Sequence, residues 1–290
     1  MRYEGPIYRP PSEADSLLIQ ATVGCPHNRC TFCMVYKGLK FKVRPTGEIK
    51  EDLEEARRQF GDRVRTLFFP AGNTIAMPTA ALAEICRYSY SLFPRLQRIT
   101  VYGSSQYIVR KGLPKMRLLA EAGLKRLHVG IESGDDEILR RVQKGASARD
   151  HIQAGRILRE AGIEMNAYIM LGLGGRERTL RHARESARVI NEARPQWLRL
   201  RTFVPKINTP MLEEVLSGRF VMLSPHQVLR ETRALLEAIE VPLRVSSDHY
   251  TNYLNLAGKL PEDKEALLRT LDEALTWEES SFRPFFIGTQ

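Results

Sequence analysis

The sequence predicts an α/β fold built as a partial (β/α)6 barrel with a short C-terminal extension. Short apolar runs alternate with amphipathic stretches six times along the chain. Strand–helix repeats of this kind call for parallel strands joined by right-handed crossovers. The segments after the second to fifth strands are rich in glycine and polar residues, as at the C-terminal rim of a barrel, where active sites lie. No linker rich in Pro, Gly or Ser divides the chain, so residues 1–240 read as one domain, with 241–290 packing on it.

The elements follow in order. Leu17–Val23 is the first strand and leads into a loop at 24–36. Thr46 is placed to cap a helix, with Glu48, Glu51 and Asp52 in its first turns and Gly61 ending it. Val64–Phe69 is the second strand, stopped by Pro70, Ala71, Gly72 and Asn73, and Pro78–Phe93 is helical. Arg98–Tyr102 is the third strand, ending at Gly103, Ser104 and Ser105, before a helix at Lys115–Ala122 that stops at Gly123. Arg126–Ile131 is the fourth strand, followed by Glu132, Ser133 and Gly134, then a helix at Ser147–Ala161. Glu164–Leu171 is the fifth strand; it opens into Gly172, Leu173, Gly174 and Gly175 and an arginine-rich helix reaching Ala193. Gln196–Val204 is the sixth strand and Pro225–Ile239 a helix. Val241–Val245 reads as an added edge strand and Glu262–Leu275 as a terminal helix.

Chemistry concentrates in the loop after the first strand. Cys25, Cys30 and Cys33 lie there, with four residues between the first pair and two between the second. Three thiolates this close can each bind one iron of a 4Fe-4S cluster, leaving the fourth iron open to an exogenous molecule. Two other readings compete at this point. Zinc prefers four nitrogen or sulfur ligands; His27 would be the fourth, yet it stands beside Pro26 and no second cysteine pair follows. A disulfide framework is disfavoured by only four cysteines in 290 residues. Cys86, inside a helical pattern, reads as a small buried hydrophobe.

Composition narrows the setting. With 43% hydrophobic residues the chain can bury a core. No apolar run approaches the ~20 residues of a membrane span, and Met1–Pro6 has no apolar signal core. A cytoplasmic protein, with no membrane partner, is expected. The net charge of +10 points to an anionic partner: a nucleic acid, an anionic small molecule or an acidic electron-transfer protein. Arg176, Arg178, Arg181, Arg184 and Arg188 crowd one helix, but without the interleaved aromatics of a single-strand-binding groove.

The cysteine loop, with Phe32 just before the third cysteine, resembles that of the radical S-adenosylmethionine (radical SAM) superfamily. The usual gap between the first two cysteines is three residues; here it is four. Ala122–Gly134, around the fourth strand, is similar to that stretch in oxygen-independent coproporphyrinogen-oxidase-like and Elongator-like members. The resemblance covers roughly residues 9–240 and implies a TIM-like partial barrel of six β/α units, in agreement with the pattern read above. It implies an oxygen-sensitive enzyme that holds a 4Fe-4S cluster on Cys25, Cys30 and Cys33 and binds S-adenosyl-L-methionine (SAM). Such enzymes cleave SAM reductively to methionine and a 5′-deoxyadenosyl radical, which abstracts hydrogen from substrate.

By the same resemblance Glu132 belongs to the SAM site, and the turn at Gly72 and Asn73 stands where backbone groups bind the methionine amino group. Ser104 stands where a polar side chain reaches the ribose, Gly172 where the backbone passes adenine, and Phe32 against adenine or the cluster. A basic rim of Arg29, Lys37, Lys40, Lys42 and Arg44 would dock an acidic flavodoxin or ferredoxin. Arg199 and Arg201, alternate residues of the sixth strand, share a face and are candidates for a substrate carboxylate or phosphate, and Asn252, in the polar-aromatic run after Val245, is a further substrate candidate. Asp248, His249 and Tyr250 are catalytic candidates. The leading expectation is hydrogen abstraction on an anionic small molecule; RNA modification and a non-catalytic metal-binding module are the alternatives.

Overall fold

The computed structural model describes residues 1–289. They form two compact units: Met1–Asn28, Val35–Val129 and Ile157–Met165 in the first; Arg29–Met34, Gly130–Arg156 and the chain from Asn166 onward in the second.

In chain order, β1 (Leu17–Leu18), β2 (Thr22–Val23) and β3 (Lys42–Val43) precede α1 (Thr46–Phe60). Then come β4 (Thr66–Phe69), α2 (Thr79–Leu92), β5 (Arg98–Gly103), α3 (Ser105–Glu121) and β6 (Leu124–Glu132). Next are α4 (Asp136–Arg141), α5 (Ala148–Glu160), β7 (Glu164–Leu171), α6 (Gly175–Ala193) and β8 (Trp197–Thr202). The chain continues through α7 (Pro210–Leu216), α8 (Pro225–Glu237), β9 (Leu243–Ser246), β10 (Ala257–Leu260) and α9 (Lys264–Ala274). The six predicted strands are β1, β4, β5, β6, β7 and β8, and a helix follows each before the next begins.

In the first unit β1, β4, β5 and β6 pair side by side, all parallel, with Leu17 opposite Leu67 and Tyr102 opposite His128. In the second, β8 pairs parallel with β7 and β9, and β10 runs antiparallel to β9. The predicted α/β fold with mostly parallel strands is present. Leu67, Phe68, Phe69, Ile99 and Val101 are fully buried, as expected of parallel strands covered on both faces. No helix of the described residues is long and apolar enough to cross a membrane.

Several boundaries differ, each for a local reason. The first strand is not continuous. Arg44, 6% exposed, donates to the Gln20 carbonyl at 2.7 Å and pairs with Asp52 at 2.8 Å. The returning segment thereby draws Thr22 and Val23 into an antiparallel pair with β3. Arg44 is buried and committed there, so it is not part of an exposed basic rim; Lys42 in turn pairs with Glu4 at 2.5 Å. Thr46 is the first residue of α1 rather than its cap, with Pro45 before it. α3 starts ten residues earlier than predicted and kinks at Gly112, beside Pro114, whose missing N–H and ring disfavour a regular helix. The short helices α4 and α7 were not expected; Asp135 and Thr209 cap them by accepting from the Glu137 and Leu212 N–H groups. β9 is not an edge strand, because β10 covers its outer side.

Candidate active site

In the first unit, Gly24, with φ +74°, turns the chain out of β2 immediately before Cys25, and its carbonyl accepts the Gly72 N–H at 3.1 Å. A Cβ on Gly72 would stand 2.7 Å from the Cys25 Cβ and 2.8 Å from the Tyr36 ring. Only glycine lets this turn sit against the first cysteine. The next residue, Asn73, is 1% exposed and locked to Ser104 in both directions. Its amide donates to Ser104 Oγ at 2.9 Å, and its Oδ1 accepts the Ser104 N–H at 3.1 Å. The four-residue gap passes through Asn28 in a left-handed conformation, φ 41°, which Asn tolerates better than most residues. The Asn28 amide donates to the Tyr36 carbonyl at 2.7 Å, and Lys37 donates to the Asn28 carbonyl at 2.7 Å.

In the second unit, Cys30 and Cys33 bracket one turn, closed by the Cys33 N–H on the Cys30 carbonyl at 3.3 Å. Between them, Thr31 donates to the Val142 carbonyl at 3.0 Å and accepts from the Met211 N–H at 3.2 Å. Phe32 packs on the apolar cluster of Ile138, Val142, Leu173, Phe203, Met211 and Phe220. Glu132 ends β6 with φ 67°, an uncommon and costly conformation for a residue with a Cβ. Its carboxylate meets Lys144 Nζ at 2.9 Å. A Cβ on Gly130 would stand 2.2 Å from Glu132 Oε1, so the missing side chain leaves room for that carboxylate. Burial opposes the Lys144 charge, but Glu132, Cys30 and Cys33 together hold its pKa above the ordinary lysine value. A cation at this place favours the thiolate, the metal-binding form of cysteine.

Gly172 has φ +77°, and its N–H donates to Glu231 Oε1 at 2.7 Å while its carbonyl accepts the Gly175 N–H at 3.0 Å. The space beside it is ordinary, with Leu223 3.8 Å from an added Cβ, so the backbone conformation is what demands glycine.

Arg199 and Arg201 lie on one face of β8, and Arg201 stands opposite Met170 of β7. Met170 packs on the same apolar cluster as Phe32. Arg199 is ion-paired with Asp248, and Arg201 donates to His249 Nε2 at 3.0 Å. Burial first, then the Arg201 and Lys206 charges, push the His249 pKa down to about 3. The ring is therefore neutral near pH 7; its Nε2 accepts from Arg201, and its Nδ1–H donates to Thr251 Oγ1 at 2.7 Å. The Asn252 amide ties its loop to β8, accepting the Thr202 N–H at 2.7 Å and donating to the Leu200 carbonyl at 2.9 Å. Tyr250 is 60% exposed, and its hydroxyl accepts from Lys206 at 3.2 Å. Asp248, His249 and Asn252 thus come to β8, whereas Tyr250 faces outward.

None of the four cysteines is in a disulfide. Cys86 is fully buried, and burial pushes its thiol up to about 12, so it stays protonated and inert at neutral pH. The three loop cysteines are half-buried. Within the second unit, the buried Lys144 cation acting on Cys30 and Cys33 suits thiolate ligation of an iron–sulfur cluster. Sequence reasoning did not find Tyr36, Lys144, Lys206, His182 or Glu231. Lys144 lies in an aperiodic link between two helices, and the others sit in patterns that carry no motif spacing.

Residues 19–187 match the radical SAM superfamily profile, more than half of the chain. An uncharacterized protein of Methanopyrus kandleri is 35% identical over 65 residues, which is 22% of this chain and 12% of that protein. Among solved structures, a radical SAM methyltransferase, TsrM, from Kitasatospora setae, solved with cobalamin and a 4Fe-4S cluster, aligns with a TM-score of 0.57 and 20% identity. That alignment covers 70% of this chain and 39% of that one. Methylornithine synthase aligns with a TM-score of 0.55 and 17% identity over 91% of this chain and 83% of its own. Coproporphyrinogen III oxidase from Escherichia coli aligns at 0.53 and 18% identity over 77% and 52%. These likenesses establish a shared fold. Members of the matched superfamily are enzymes that bind a 4Fe-4S cluster and SAM and need an electron donor and a substrate. By this match and by its cysteine loop, the chain belongs to the radical SAM superfamily.

Proposed function

We propose that this chain holds a 4Fe-4S cluster on Cys25, Cys30 and Cys33, cleaves SAM reductively and abstracts hydrogen from an anionic small molecule. The observation that carries this reading is the Cys30–Cys33 turn facing the buried Lys144–Glu132 pair at the end of β6. When bound, the cluster and SAM together supply one-electron cleavage of a carbon–sulfur bond and a 5′-deoxyadenosyl radical. The chain's own residues bind and orient. The three cysteines ligate iron, and Lys144 offsets the negative charge of the thiolates. Glu132 accepts hydrogen bonds from SAM, with the Gly72–Asn73 turn, Ser104, Phe32 and the Gly172 turn as further contacts.

Residues 241–290 contribute to the substrate side through Asp248 and His249. Burial, helped by the Arg201 and Lys206 charges, keeps His249 neutral, and the two cations make its surroundings positive, which suits a carboxylate or phosphate substrate. The exposed Arg29 and Lys40 suit docking of an acidic flavodoxin or ferredoxin-type donor. The test is anaerobic reconstitution with iron and sulfide, then SAM and dithionite. Release of 5′-deoxyadenosine and methionine above a Cys30→Ala control is expected. No release over that control from iron-loaded protein would overturn the reading.

A further inference from the structure

A buried polar network outside the proposed contacts joins the two strand ends assigned to SAM. Glu231, on α8, is 1% exposed, yet it carries a carboxylate. Its Oε1 accepts the Gly172 N–H at 2.7 Å and lies 3.0 Å from His182 Nδ1. Its Oε2 accepts the Thr179 hydroxyl at 2.6 Å. His182, on α6 and 1% exposed, places its other ring nitrogen, Nε2, 3.3 Å from the Glu132 carbonyl oxygen. The Glu132 carbonyl can only accept, so Nε2 carries a proton, and a carboxylate at Glu231 favours a second proton on Nδ1. Burial opposes the charge of that second proton, but the Glu231 carboxylate outweighs it and raises the His182 pKa.

A buried ion pair is weak evidence for stability, because desolvation offsets most of its attraction. What this pair does fix is backbone. Glu132, φ 67°, and Gly172, φ +77°, are both left-handed residues at strand ends, and each has a main-chain group held by the network. Without the His182 bond, Glu132 would lose a hydrogen bond that helps keep its peptide in a disfavoured conformation.

We propose that His182 and Glu231 are positioning residues for SAM: His182 orients the Glu132 peptide, and Glu231 ties that orientation to the Gly172 turn. The inference rests on the reading that Glu132 contacts SAM. The test is calorimetric SAM binding to anaerobically reconstituted protein, with iron content measured in parallel, for Glu132→Gln, His182→Ala and the double variant. His182→Ala should keep its iron and weaken SAM binding about tenfold, the scale of one charge-assisted hydrogen bond. If His182 acts through Glu132, the double variant binds no worse than Glu132→Gln alone, a non-additivity that general destabilisation does not produce. Glu231→Gln, which keeps an acceptor for Gly172, should bind within about threefold of the parent, whereas Glu231→Leu should match His182→Ala. These two variants decide the matter if His182→Ala does not fold. Unchanged SAM affinity in His182→Ala or Glu231→Leu, or additive losses in the double variant, would overturn the inference. Unchanged affinity in Glu132→Gln would instead overturn the reading beneath it.

Discussion

Lys144 Nζ meets Glu132 Oε1 at 2.9 Å, on a glutamate that ends β6 in a left-handed conformation. Both side chains are nearly buried, at 10% and 13% exposure, so neither charge is easily solvated alone. Lys144→Met should destabilise the apo-protein by about 3 kcal/mol, the low end for breaking a buried pair. Glu132→Gln, which keeps size and some hydrogen bonding, should cost less. Denaturant titrations check this; equal stability of Lys144→Met and the parent would show that the pair carries no such load.

Gly72 gives a sharper steric prediction. Ala at this position would place its Cβ 2.7 Å from that of Cys25, so the cysteine or the turn must shift. Iron and sulfide per chain after anaerobic reconstitution should fall at least twofold in Gly72→Ala, on the order of a 1 kcal/mol disturbance at the ligand. Gly47→Ala is the control, because nothing lies within 4 Å of the added atom. Full loading of Gly72→Ala would contradict the cradle.

The cysteines divide three to one. Ala at Cys25, Cys30 or Cys33 should abolish the iron–sulfur absorbance of the reconstituted protein. Cys86→Ala should keep it, since that thiol is buried and held protonated. A tightly bound zinc with no iron in anaerobically purified parent protein would revive the mononuclear alternative.

Acid should destabilise the apo-protein through its buried neutral histidines. His151 and His249 are both pushed down to about 3, chiefly by burial, from 6.5. The unfolded chain takes up these protons near 6.5, the folded chain only near 3, so the unfolded state binds more protons between. Their contribution is complete above 6.5 and is lost as pH falls towards 3. His182, raised by Glu231, works in the opposite sense, complete below the unfolded value and lost above its folded one. Replacing His249 with Gln should therefore flatten the fall in thermal midpoint between pH 7 and pH 5. An unchanged slope would place the His249 proton elsewhere.

The positive charge should not make this an RNA-binding surface of high affinity. Arg178 is held by Asp135 and Glu137, and Arg188 by Glu185 and Glu192, so these two of the five α6 arginines are already paired. Filter binding to total cellular RNA should weaken steeply, up to about a thousandfold between 50 and 200 mM salt. Sub-micromolar binding at physiological salt that resists a scrambled competitor would instead favour RNA modification.

Much of this was legible in the sequence because strand and helix periods are local. β7 begins and ends where its apolar run does, and Cys25, Cys30 and Cys33 announce themselves by spacing. The break after Leu18 was not, since it depends on Arg44, more than twenty residues away, claiming the Gln20 carbonyl. Lys144 and Glu132 are twelve residues apart with a helix between them, so only the fold brings them together. The same holds for His182 and Glu231, forty-nine residues apart on separate helices.

The most direct test is low-temperature EPR of the reduced, reconstituted protein with and without SAM. An open iron on a cluster held by Cys25, Cys30 and Cys33 predicts a 4Fe-4S signal whose g-values shift when SAM is added. That shift should weaken in Glu132→Gln at fixed SAM concentration while the iron content stays the same. A signal that SAM leaves unchanged, or that survives Cys30→Ala, would contradict the account.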